Sequence, residues 1–143
     1  MKLSKRELDA LSPVEKVLHF WNNVWSAPYD LDLIDSLMTE DFIITNAGKD
    51  IVGRENFKKW VADFLKQIEN ANLQNIEIFE SADGTKVVSR WALTGLHNGF
   101  FGLKATGKPI KISGTAIWEI RENKLAHNWV ERSAWEVYNE LIQ

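Results

Sequence analysis

Apolar side chains at Val14, Val17, Leu18, Trp21 and Trp25 recur at the three-and-four spacing that lays one stripe along a helix. Ser12-Pro13 ahead of them offers a side-chain N-cap and a proline at the first helical position, with Glu15 in the first turn. The pattern breaks around Pro28, and Leu33, Ile34 and Leu37 then mark a short second helix, Leu31 to Met38. Phe42 to Thr45 is a brief β-prone run. After Gly53, Phe57, Trp60, Val61, Phe64, Leu65 and Ile68 fall on a single face of a third helix.

From Asn72 onward the period changes to that of strands. Ile76 and Ile78 lie in the first, Ala82-Asp83-Gly84 is a turn, and Lys86 to Leu96 is a long strand rich in β-branched and aromatic residues. A glycine-rich connection leads to a strand from Pro109 to Arg121. There Ile110, Ile112, Ala116, Trp118 and Ile120 share one face, and Lys111, Ser113, Thr115 and Glu119 the other. Glu122-Asn123 is the expected hairpin turn, Lys124 to Arg132 the last strand, and Ala134 to Ile142 a short amphipathic helix. Helices first and an antiparallel sheet afterwards predict one α+β domain with the helices packed on one sheet face.

Composition narrows the chemistry. The 143 residues suit a single domain, and the absence of cysteine excludes disulfides, thiolate catalysis and cysteine zinc sites. With 17 basic and 20 acidic residues and no basic cluster, a nucleic-acid partner is not expected. No apolar run approaches the ~20 residues that cross a bilayer, and the N-terminal stretch lacks the apolar core of a secretory signal. The expectation is a cytoplasmic protein with no membrane partner. No histidine pair has metal-ligand spacing, and the glycines lack the strand–loop–helix context of a dinucleotide site, so neither metal nor cofactor is expected. Seven tryptophans stand out. Trp118, Trp129 and Trp21 are candidates for the wall of an apolar pocket, with Phe42 and Phe64 deeper, and ordinary core packing is the alternative for each. A small hydrophobic molecule is the ligand such a pocket would take.

The stretch HNWVERSAW puts Glu131 two places after Trp129, so that in a strand His127, Trp129 and Glu131 point the same way. On the long strand Arg90 shares a face with Val88, Ala92, Thr94 and Leu96, while Trp91, Leu93 and His97 share the other. Both faces are apolar, and periodicity does not choose between them. His127 could relay a proton near neutral pH or be a hydrogen-bonded core residue, and His97 reads as a loop brace.

The block from Gly95 to Trp129 resembles the SnoaL-like polyketide cyclase group of the nuclear transport factor 2-like superfamily. Gly95, His97, Gly99, Phe101, Gly102, Thr106, Gly107 and Lys108 carry the likeness, followed by Lys124, Leu125 and Trp129; Trp25, Asp41-Phe42 and Gly53-Arg54 extend it to the N-terminal half. The resemblance implies a cone-shaped, curved antiparallel sheet with three N-terminal helices on its concave face, enclosing an apolar cavity. It puts Arg90 and Thr94 inside and leaves Trp91 and Leu93 on the outer face, where proteins of this fold commonly form homodimers. The activity it implies is cofactor-independent cyclase or isomerase chemistry on a polyketide-like substrate, with an acid of the last strand moving a proton. Ser133 stands where many members have aspartate, and Asn46 where many have histidine, which leaves Glu131 as the acid. An inward Arg90 would favour the ionised form of an inward Glu131 against desolvation, poising it as a general base, with Asn46 orienting charge. A structural ion pair is the alternative. The sequence is also similar to limonene-epoxide hydrolases at Arg90, Asn46 and Glu131, with Ala92 where those enzymes carry an aspartate. Three readings follow: a proton-transfer enzyme, a non-catalytic binding or assembly domain of the same fold, and a hydrolase with an altered acid.

Overall fold

The computed structural model describes residues 2–143. Ser12 and Glu15 close a reciprocal capping box, the side chain of each accepting the other's backbone N–H at 3.1 and 2.8 Å, and Pro13 begins α2 (Pro13–Asn23). The same device at Ser4 and Glu7 starts α1 (Lys5–Ala10), a helix that apolar spacing does not announce because its six residues bury only Leu8. The buried ammonium of Lys16 donates to the carbonyl oxygens of Asp9 and Leu11, tying the end of α1 to α2. Then come α3 (Leu33–Leu37), β1 (Met38–Asn46), β2 (Lys49–Val52), α4 (Arg54–Lys66), β3 (Ile68–Glu80), β4 (Lys86–His97), β5 (Pro109–Arg121), β6 (Lys124–Arg132) and α5 (Ala134–Leu141).

The strands form one curved, unclosed sheet in the order β2-β1-β6-β5-β4-β3. β1 and β6 run parallel and every other pair is antiparallel. α2 and α4 cover the concave side, α2 against β3 and β4, α4 against β1 and β3. Rings fill the space between. Trp118 is fully buried, with Phe20 and Trp21 edge-on to it at 5.5 and 5.4 Å between ring centres.

The phase of β4 differs from the one the family resemblance suggests. Val87, Ser89, Trp91 and Leu93 are buried toward the helices, and Arg90 and Thr94 are exposed on the outer face. The cause is steric. Gly114 of β5 is the register partner of Trp91, and a Cβ there would lie 2.3 Å from Cζ2 of the indole, so the ring occupies the place a side chain would take. Trp91 and Leu93 are therefore core and not the outer patch expected of them. Gly95 answers a similar demand: a Cβ would meet Cγ2 of Ile68 at 2.2 Å, where β3 shifts register between Glu69 and Asn72.

The rings set the stability. Phe42→Ala is expected to cost about 3–5 kcal/mol in urea unfolding, the range for emptying a buried aromatic site. Trp135→Ala, at a side chain 68% exposed, should shift stability by less than about 0.5 kcal/mol. Similar losses for the two would contradict this core.

Candidate functional site

A cavity lies between α2, α4 and the concave sheet face. Trp21, Trp25, Phe57, Trp60 and Phe64 form its helical wall, and Ile44, Leu73, Trp91, Leu93, Val130 and Arg132 its sheet wall. The centres of water-sized spheres have about 30 Å³ inside it, room for one or two waters. Trp21 Nε1 donates to Ser89 Oγ at 3.3 Å. The one charged lining group is Arg132. Its guanidinium carbon sits 4.8 Å from the Phe64 ring centre and 5.8 Å from that of Trp60, a cation on two aromatic faces. Desolvation alone brings its pKa down to about 10, which keeps it protonated at neutral pH.

Asn75, Trp91, Gly114 and Arg132 are successive register partners across β3, β4, β5 and β6 and form one rung of the concave face. Along that rung Trp91 Nε1 and Asn75 Oδ1 are buried with no hydrogen-bond partner. Arg132 was not singled out from sequence. Its signal is parity: Asn128, Val130 and Arg132 alternate on one face, opposite to Trp129 and Glu131.

The expected meeting of Arg90 and Glu131 inside the hollow does not occur. Both are exposed on the outer face, on the rung Glu77–Arg90–Thr115–Glu131, which sets them two strands apart. At the usual strand spacing that is about 10 Å between backbones. Arg90 pairs instead with Glu77 next to it, Nε to Oε1 at 3.3 Å. The two do line one open groove of about 390 Å³ with Thr115 and Ile76, which Trp91, Gly114 and Arg132 of the neighbouring rung also border. Thr94 shares that outer face and is exposed, away from the cavity.

Asn46 ends β1 opposite Val130, half-buried on the inward face, and does not line the cavity. Trp129 and His127 are half-buried on the outer face, their rings stacked at 3.7 Å and 6°. His127 Nε2 lies 2.8 Å from Thr45 Oγ1, which donates to Asp50 Oδ1 at 2.6 Å. The histidine is thus hydrogen-bonded, but outside the core. Trp118 and Phe42 are fully buried packing and do not reach the cavity, whereas Trp21 and Phe64 both line it. His97 Nδ1 accepts the Phe100 N–H at 3.1 Å, bracing the loop. Among the described residues no group of three or more histidine, aspartate or glutamate side chains is arranged to hold a metal ion. No helix of the described residues is long and apolar enough to cross a membrane.

A curved six-stranded sheet with helices across its concave side defines the ketosteroid isomerase-like, or nuclear transport factor 2-like, fold. Within it, the chain belongs to the SnoaL-like polyketide cyclase family, whose model matches residues 15–141. A SnoaL-like protein from Jannaschia sp. CCS1 superposes with a TM-score of 0.81 at 17% identity, over 97% of this chain and 95% of its own. A candidate polyketide cyclase from Acidithiobacillus ferrooxidans gives 0.76 at 23% identity, over 100% and 99%. A protein of ketosteroid isomerase-like fold from Catenulispora acidiphila, solved with trimethylamine, gives 0.71 at 19%, over 89% and 91%. No curated protein sequence matches. These likenesses establish the fold and leave the chemistry to the side chains.

Burial holds the His127 pKa below its ordinary value in the folded chain. As pH falls, the unfolded chain therefore takes up this proton first. The stability His127 contributes is present above its unfolded value of about 6.5 and declines as pH falls through that value toward the folded one. His127→Gln should flatten the fall in melting temperature between about pH 7.5 and 5. His19, also lowered by burial, keeps part of the slope. An unaltered slope in the variant would refute the assignment.

Proposed function

We propose that this protein is a non-catalytic binding module for a small apolar molecule, seated between α2, α4 and the concave sheet face. The observation that carries the reading is the wall itself: eleven residues, ten of them apolar, and no carboxylate among them. A general base must come within hydrogen-bond reach of the proton it takes, and Glu131 is on the far side of the sheet. This favours binding over the proton-transfer reading. It also disfavours the epoxide-hydrolase reading, which needs the arginine of β4 in the hollow. The polyketide cyclase names of the relatives agree with a ring-bearing apolar ligand. The free space is water-sized, so a ring enters as a side chain yields, and half-buried Arg132 is the flexible member of the wall. Quenching of tryptophan emission by 2-naphthol tests the reading. Val130→Phe, which fills the cavity, should weaken binding at least about tenfold, and Glu131→Gln should leave it unchanged. Equal affinity in Val130→Phe and wild type would overturn it.

A homodimer through the outer sheet face is also proposed, on different residues from those first expected. Phe79, Val88, Ile117 and Trp129 are register partners across four strands, and Phe79 and Ile117 are 54% and 41% exposed. They make an apolar ribbon between two charged rungs, one holding Glu77, Arg90 and Glu131, the other Lys86 and Glu119, whose side chains pair at 3.9 Å. Sedimentation should give twice the 16.4 kDa chain mass, falling to the single mass in Ile117→Lys. A wild-type chain that sediments singly at micromolar concentration would rule this out.

A further inference from the structure

Trp91 Nε1 is covalently bonded to Cε2, and Cε2 lies 2.7 Å from where a Cβ of Gly114 would stand. The benzo edge of the indole, Cζ2 and Cε2, therefore fills the side-chain gap that the glycine leaves, next along the rung to Arg132, with Nε1 at its margin. Trp91 is only 5% exposed, and its N–H has no acceptor. Arg132 lies on ring faces and pairs with no carboxylate among the described residues. Both residues line the apolar cavity, and neither the cation nor the neutral donor has a protein acceptor among the described residues.

We infer that Arg132 and Trp91 together hold the carboxylate of a small aromatic or alicyclic acid, whose ring lies against Trp25, Trp60 and Phe64. This rests on the binding-module reading and adds the charge of the ligand to it. A guanidinium fork matches a carboxylate with two parallel hydrogen bonds, and such bonds strengthen where water is excluded. The ligand's ring takes over the aromatic faces the guanidinium now covers, and the guanidinium turns to the oxygens. A neutral ligand of the same shape would leave the buried N–H and the cation unpaired, which costs affinity. Asn75, one strand beyond Trp91 on the side away from Arg132, presents an acceptor and takes no part in holding the anion.

Calorimetric titration of the full chain with benzoate, benzamide and 2-naphthol at neutral pH decides the matter. Benzoate should bind at least about tenfold more tightly than benzamide, the scale set by hydrogen bonds to a charged group. Trp91→Phe, which removes only the N–H and a ring, should cut that preference, and Arg132→Met should erase it while 2-naphthol still binds. Arg132→Lys, which keeps the charge and loses the fork, should fall between, and it carries the test if Arg132→Met does not fold. Equal binding of benzoate and benzamide, or binding of 2-naphthol alone, overturns the carboxylate assignment and leaves the apolar pocket standing. Failure of all three probes overturns both.

Discussion

The indole of Trp91 can lie across the sheet because Gly114, opposite it, has no side chain, and most of the site follows from that contact. A strand has two faces, and a shift of one residue exchanges them completely. Once Trp91 faces the helices, Arg90 must face away. The register carries the same choice to β5 and β6, where it sets Glu131 outside and Arg132 inside. Two adjacent charged residues near the end of β6 thus have opposite environments.

That inversion changes the character of the hollow. An enclosed carboxylate with a guanidinium beside it would be a device for moving protons. A half-buried guanidinium laid on rings suits the holding of negative charge, or is a costly filler. Arg132 gains the quadrupole attraction of Phe64 and Trp60, and its lowered pKa records what burial without a counter-ion costs.

Much of the fold was legible in the amino-acid order. The apolar stripe of α2, that of α4 up to Leu65, the Ser12-Pro13 cap, the Glu122-Asn123 hairpin turn, the limits of β5 and β6 and, to within one residue, those of β4 follow from periodicity and turn chemistry, while Ile68, expected on the third helix, opens β3. α1 and β2 escaped because each is short and largely exposed, so neither has an apolar face to read. The candidate site was less legible, for a physical reason. On β4 the outer residues Val88 and Ala92 are as apolar as the inner Trp91 and Leu93, since the outer face carries its own ribbon of Phe79, Val88 and Ile117. Alternation loses its meaning when both sides are greasy. The family likeness fixed the architecture and not the strand phase. The glycine that decides the phase lies on a neighbouring strand, 23 positions along the chain from the tryptophan it accommodates.

The parallel contact of β1 and β6 has a further consequence. β6 sits between β1 and β5, so the sheet is two separate pieces, β2-β1 and β5-β4-β3, until β6 joins them. During synthesis β1 leaves the ribosome with Phe42 and Ile44 on an open edge, and its neighbour on that side follows nearly eighty residues later. Closure of so long a loop slows assembly and leaves a sticky intermediate exposed meanwhile. A truncation that removed β6 would unmake the sheet at its middle.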